Sequence, residues 1–80
     1  MYLEILTPEA RLFSGNIKLV QLPGNKGSFE ILNKHAPIIS SLSAGKIKVI
    51  DADGIKNEFM ISEGTIQMQD NNIIVLAVKS

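Results

Sequence analysis

The side chains of this 80-residue chain that could do chemistry are few and scattered. His35, in His35-Ala36-Pro37, is the only histidine, and there is no cysteine. A histidine can serve as a general base, a metal ligand or a contact residue. A metal site here would have to be completed by carboxylates alone, because neither a second histidine nor a thiolate exists to join it. The local alternative is a turn histidine that bonds nearby backbone. Glu4, Glu9, Glu30, Glu58 and Glu63, with Asp51, Asp53 and Asp70, fall on strand faces or in turns. Nothing selects from them the carboxylate pair that glycosidic chemistry uses. Ser14, Ser28, Ser40, Ser41, Ser43 and Ser62 lack the strand-to-helix elbow of a nucleophilic serine. Gly24 and Gly27 bracket Asn25-Lys26, but a phosphate-cradling loop needs a helix N-terminus behind it. A strand follows instead, so these glycines read as a hairpin turn with positive φ. No catalytic, cofactor-binding or metal-binding set is expected. The segment from Leu22 to Pro37, two turns around a short apolar run, points to a contact function.

The elements that would position such contacts belong to one small domain, residues 1–80. A domain of this size buries only roughly 60% of its unfolded surface, and a stable partner is one way to support it. The chain is 45% hydrophobic but only 5% aromatic, so the core is expected to be aliphatic, anchored by Phe13, Phe29 and Phe59. Without cysteine no disulfide staples the fold, and a reducing, intracellular setting is expected. Formal net charge is zero and no basic run occurs, so no nucleic-acid partner is expected. No apolar stretch approaches the roughly 20 residues of a membrane helix, and the first residues do not read as a signal or transit peptide. Any membrane association is expected to run through another protein, and no homo-oligomer is expected.

Short runs of Ile, Val and Leu recur between turn residues, the pattern of an all-β domain. Strands are expected at Tyr2–Leu6, Leu12–Gly15, Asn16–Leu22, Ser28–Leu32, Ile38–Leu42, Gly45–Ile50, Ile55–Ile61, Thr65–Gln69 and Ile73–Val78. Pro23-Gly24, Asp51-Ala52-Asp53-Gly54 and Asp70-Asn71-Asn72 mark turns. The alternation breaks at Leu19-Val20, which suggests a bulge. Ile47 and Val49 share one face, as do Phe59 and Ile61, and Ile66 and Met68. Lys48 and Glu58 are placed to pair across two strands. Ile73–Val78 is apolar on both faces, as in a strand covered on both sides. No segment of ten or more residues holds a helical period. The expected fold is a two-sheet antiparallel β-sandwich of about eight to ten short strands.

Thr7-Pro8-Glu9, Leu12-Phe13-Ser14-Gly15, Leu22-Pro23-Gly24 with Gly27, Ile31-Leu32, His35-Ala36-Pro37, Ser62 with Gly64, and Asn72 to Leu76 occur in this order. The chain thereby resembles the epsilon subunit of the bacterial F-type ATP synthase, in its N-terminal β-sandwich domain. The resemblance runs along essentially the whole chain, and Leu12 to Pro37 is its specific part. It implies a non-catalytic central-stalk subunit that bridges the gamma subunit and the c-ring and couples proton flow to ATP synthesis. It also implies a peripheral location on the cytoplasmic face of the bacterial plasma membrane.

By position, the resemblance places gamma-subunit contact at Thr7, His35 and Ser40, with the neighbouring Ile38, Ile39 and Leu42 as candidates for an apolar centre or for ordinary core. A gamma interface of about 1,200 Å² or more is expected. The polar contact with the c-ring falls at Ser28, where family members often carry Glu. Glu30, two residues on and on the same strand face, stands where a glycine is usual and is expected to take over that contact. Asn33-Lys34 replaces the usual Pro-Gly. Many family members continue into an inhibitory two-helix hairpin; Val78-Lys79-Ser80 ends this sequence, which implies no self-inhibitory helices in it. The competing reading is a free-standing β-sandwich module binding a small ligand, which the scarcity of aromatic side chains disfavours.

Overall fold

Two strands of 14 residues each, β2 (Arg11–Gly24) and β6 (Lys56–Gln69), organise the molecule in a computed structural model that describes all residues, Met1 to Ser80. The others are β1 (Tyr2–Leu6), β3 (Gly27–Leu32), β4 (Ile38–Leu42), β5 (Gly45–Asp51) and β7 (Asn72–Lys79). Each long strand changes partners midway. The first half of β2 pairs with β1, and its second half pairs with β3 on one edge and β5 on the other. The first half of β6 pairs with β5, and its second half lies between β4 and β7. The result is two layers joined by continuous strands. A first sheet runs β2 (first half), β1, β7, β6 (second half), β4. A second runs β3, β2 (second half), β5, β6 (first half).

The all-β sandwich expected from the sequence is therefore present, with seven strands rather than eight to ten. The difference has a local cause. Leu12–Gly15 and Asn16–Leu22 fuse into β2, and Ile55–Ile61 and Thr65–Gln69 fuse into β6. At each junction the chain bends from one sheet to the other without losing its ladder, so residues that read as interruptions are corners. Gly64 illustrates the requirement: a Cβ there would lie 2.8 Å from the Leu76 carbonyl oxygen. The ladder also slips at that corner, because Ile61 faces Lys79 while Glu63 faces Val78. The bulge in β2 falls at Lys18, between Ile17 opposite Asp51 and Leu19 opposite Ile50, one residue before the Leu19-Val20 break.

One pairing is parallel: β1 runs alongside β7, with Leu3 opposite Ile73 and Leu6 opposite Leu76. The whole intervening chain serves as the crossover that parallel neighbours require.

Period-two alternation supplies the core. Leu3, Ile5, Val20, Leu22, Ile31, Ile47, Val49, Ile66 and Val75 have no exposed surface, and no polar or charged side chain is buried. Such an interior places no ionised group out of water, so no desolvation cost offsets the packing. Phe13 and Phe59 meet edge-to-face with centroids 6.3 Å apart and close one end of the core, while Phe29 packs against it from β3.

Candidate partner interface

Three surfaces on this frame could engage another molecule. The first is the outer face of the first sheet. On β7, Ile73, Val75 and Ala77 point inward, while Ile74, Leu76 and Val78 are 44%, 53% and 44% exposed. The strand expected to be covered on both sides is covered on one only. Its apolar outer row continues onto β1 at Tyr2 and Leu6, which share parity with the outward Glu4; on the other side the outward Gln67 of β6 separates Ile74 from Ile39 of β4, which is 80% exposed. Beside it an open cleft of ≈ 570 Å³ runs between Leu6, Thr7 and Pro8 on one flank and Glu63 and Thr65 on the other. Isolated apolar side chains on a surface are ordinary, but a contiguous row marks a contact site.

Alternation sorts the gamma-contact candidates on β4. Ile38, Ser40 and Leu42 lie opposite Met68, Ile66 and Gly64 and turn inward, whereas Ile39 and Ser41 turn outward. Leu42 is buried in the core at 4% exposure and Ile38 packs partly against it. Of the three apolar candidates, only Ile39 is offered to solvent. The half-buried Ser40 hydroxyl donates to the Ser41 carbonyl at 3.1 Å. Thr7 closes the β1–β2 turn: its hydroxyl donates to the Ala10 carbonyl at 2.9 Å and accepts from the Ala10 N–H at 3.1 Å. His35 stands on the exposed β3–β4 loop, and its Nδ1 donates to the Ala36 carbonyl at 2.7 Å. Because a carbonyl only accepts, that bond requires a proton on Nδ1 and leaves the Nε2 edge of the ring facing outward from the bond. Thr7 and His35 lie at opposite ends of the first sheet, one beside Leu76 and the other beside the β6–β7 turn. They flank its outer face and form no common pocket.

The second surface is the β2–β3 hairpin. Its two glycines are needed for different reasons. Gly27 has φ +112, open to glycine, while a Cβ on Gly24 would lie 2.8 Å from the Gly27 carbonyl oxygen. Ser28 and Glu30 share the outward face of β3, opposite Pro23 and Gln21. The Gln21 amide donates to the Ser28 hydroxyl at 3.3 Å. Glu30 takes part in none of the chain's three ion pairs, so its carboxylate is free to meet a partner. The hairpin is braced by Asn25 donating to Ser41 of β4 at 3.2 Å and by the N–H of Ser43, just past β4, donating to the Pro23 carbonyl at 2.8 Å.

The third surface is the charged outer face of the second sheet. Lys48 lies opposite Glu58 in the ladder, as the sequence suggested. The ion pairs of Glu58, however, are with Lys46 at 3.2 Å and Lys56 at 3.7 Å. The hydrogen bond from Lys46, aided by the positive charges of Lys46, Lys56 and Lys48, holds the Glu58 carboxyl below its ordinary value of 4.5. No group of three or more His, Cys, Asp or Glu side chains is arranged to hold a metal ion.

Fold and surfaces together define a two-layer β-sandwich with exposed contact faces on both sheets. The chain belongs to the family described as the ATP synthase delta/epsilon chain β-sandwich domain, whose model matches residues 1–79. Among curated relatives, the ATP synthase epsilon chain of Campylobacter hominis is 41% identical over 78 residues. That match covers 96% of this chain and 60% of the relative. The ATP synthase epsilon chain of Chlorobaculum tepidum is 36% identical over 74 residues, covering 92% of this chain and 84% of the relative. The chain thus spans about 60% of the length of the first of these relatives. A chain in a structure of the Tetrahymena thermophila mitochondrial ATP synthase central stalk and c-ring superposes with a TM-score of 0.81 at 20% identity. It covers 99% of this chain and 63% of that one, and at that identity the likeness concerns the fold.

The outward row Ile74, Leu76 and Val78 was missed in the sequence because an apolar strand reads the same whether one or both faces are covered. The bonding role of Asn71, described below, was missed because its partners lie 37 and 38 residues away.

Proposed function

We propose that this chain is a non-catalytic central-stalk subunit of an F-type ATP synthase that binds the gamma subunit and rests on the c-ring. It works peripherally at the cytoplasmic face of the bacterial plasma membrane and helps couple proton flow to ATP synthesis. The observation that carries the contact role is the exposed apolar row on the first sheet beside a core that is complete without it. The family relationship and the relatives' names supply the complex. In this reading gamma covers the outer face of the first sheet, with Ile39 within the contact and Thr7 and His35 at its two ends. The c-ring meets the β2–β3 hairpin through Ser28 and the unpaired Glu30 carboxylate. A densely packed aliphatic sandwich suits a rotor part because it has few soft modes in which torque could dissipate.

Co-purification tests the reading. The chain is expected to hold gamma and c-ring through washing in a reconstituted rotor, and to bind gamma alone without the ring. A chain that stays monomeric when mixed with gamma would overturn the assignment. Within it, joint Glu30→Gln and Ser28→Ala replacement is expected to weaken ring attachment and coupled ATP synthesis while gamma binding persists. Unchanged coupling in that variant would remove the c-ring role of the hairpin.

A further inference from the structure

The β3–β4 loop, residues 33–37, carries His35 and has no apolar side chain in the core. What holds it is one residue from the far end of the sequence. Asn71 lies in the β6–β7 turn, with φ 64, and its side chain spans two residues of the loop. Its Oδ1 accepts the Lys34 backbone N–H at 3.0 Å, and its Nδ2 donates to the Asn33 Oδ1 at 2.8 Å. The orientation of the amide follows from its partners, since a backbone N–H can only donate and therefore selects the oxygen. Lys34 itself sits at φ 64, a left-handed conformation that a lysine adopts at a cost and keeps only when its surroundings hold it. The only other backbone tie of the loop is the His35 N–H to the Leu32 carbonyl, a longer bond at 3.2 Å.

We infer that Asn71 is a positioning residue for the gamma contact: it latches the β3–β4 loop to the β6–β7 turn and so presents His35 in one orientation. The inference rests on the proposed role of this chain in the stalk. A loop ordered before binding loses less conformational freedom when the partner docks. Removing the latch leaves the two strand pairs flanking it intact, because β6–β7 pairing starts at Gln69 opposite Asn72 and is independent of the amide. The substitution Asn71→Gly retains the left-handed turn and deletes both bonds. Asn33→Ala deletes one of them and leaves the turn residue untouched.

The experiment combines amide hydrogen exchange with titration against purified gamma, on wild type and both variants. In Asn71→Gly the Lys34 amide is expected to exchange roughly three- to tenfold faster, the range for one lost hydrogen bond, while the Ile47, Val49 and Ile66 amides keep their protection. Affinity for gamma is expected to fall several-fold in Asn71→Gly, which loses both bonds, and less in Asn33→Ala, which loses one. Unchanged Lys34 exchange in Asn71→Gly would overturn the latch. Faster Lys34 exchange with unchanged gamma affinity would overturn the positioning role while leaving the stalk assignment standing. Failure of the wild-type chain to bind gamma would instead remove the assignment and the positioning role together.

Discussion

Ile39 and Leu42 lie three residues apart on β4 and are both apolar, yet they answer to different forces. Ile39 is 80% exposed and Leu42 is 4% exposed. Fully burying an isoleucine or leucine side chain contributes about 1.5–3 kcal/mol. Only a fifth of that is invested in the fold at Ile39, so Ile39→Ala is expected to lower stability by about 0.3–0.6 kcal/mol. Leu42→Ala opens a cavity in a packed core and is expected to lower it by about 2–5 kcal/mol. If gamma covers the outer face of the first sheet, most of the Ile39 side chain is buried only in the complex. Its truncation should then weaken gamma binding by about 1–2 kcal/mol, five- to thirtyfold in Kd. Urea denaturation reads the first quantity and titration with purified gamma the second. An Ile39→Ala variant that binds gamma within twofold of wild type would refute the placement of gamma on this face. One as unstable as Leu42→Ala would refute the separation of the two side chains by strand alternation.

Gly64→Ala is expected to lower stability by about 1–2 kcal/mol, because its Cβ would meet the fixed Leu76 carbonyl at 2.8 Å. In a domain of this size that lowers the melting temperature by roughly 4–16 °C, and circular dichroism melts check it; a shift under 2 °C would mean that the β6 corner can relax. Glu58 is expected to titrate below 4.5 by carboxyl NMR and to return toward that value in Lys46→Gln. Because folding depresses this pKa, the stabilisation it provides is present above 4.5 and lost as pH falls through the folded value. Lys46→Gln should therefore be slightly less stable than wild type near neutral pH and equal to it in acid; a difference that persists in acid would assign the effect to packing.

Local alternation was enough to place Ile47, Val49, Ile66 and Met68 in the core, because a strand's period of two depends only on backbone geometry. The Asp51–Gly54 turn was legible for the same reason. Asp51 Oδ1 accepts the N–H groups of Asp53 and Ile55, each at 2.9 Å, so that turn is built by its own residues. Ser28 and Glu30 were likewise assigned to one face by parity alone.

What tertiary structure decided involves relations between distant segments. Whether Leu12–Gly15 and Asn16–Leu22 are two strands or one depends on whether the second sheet can take over the ladder where the first lets go. Whether Ile74, Leu76 and Val78 are core or surface depends on what lies beyond them, and their own apolar character carries no record of it. The parallel pairing of β1 with β7 joins the two ends of the chain, and the bonds of Asn71 span 37 and 38 residues. Side-chain period is a property of one strand and can be read from one strand. Layering, edge position and long-range bonding belong to pairs of elements, and only their packing against one another settles them.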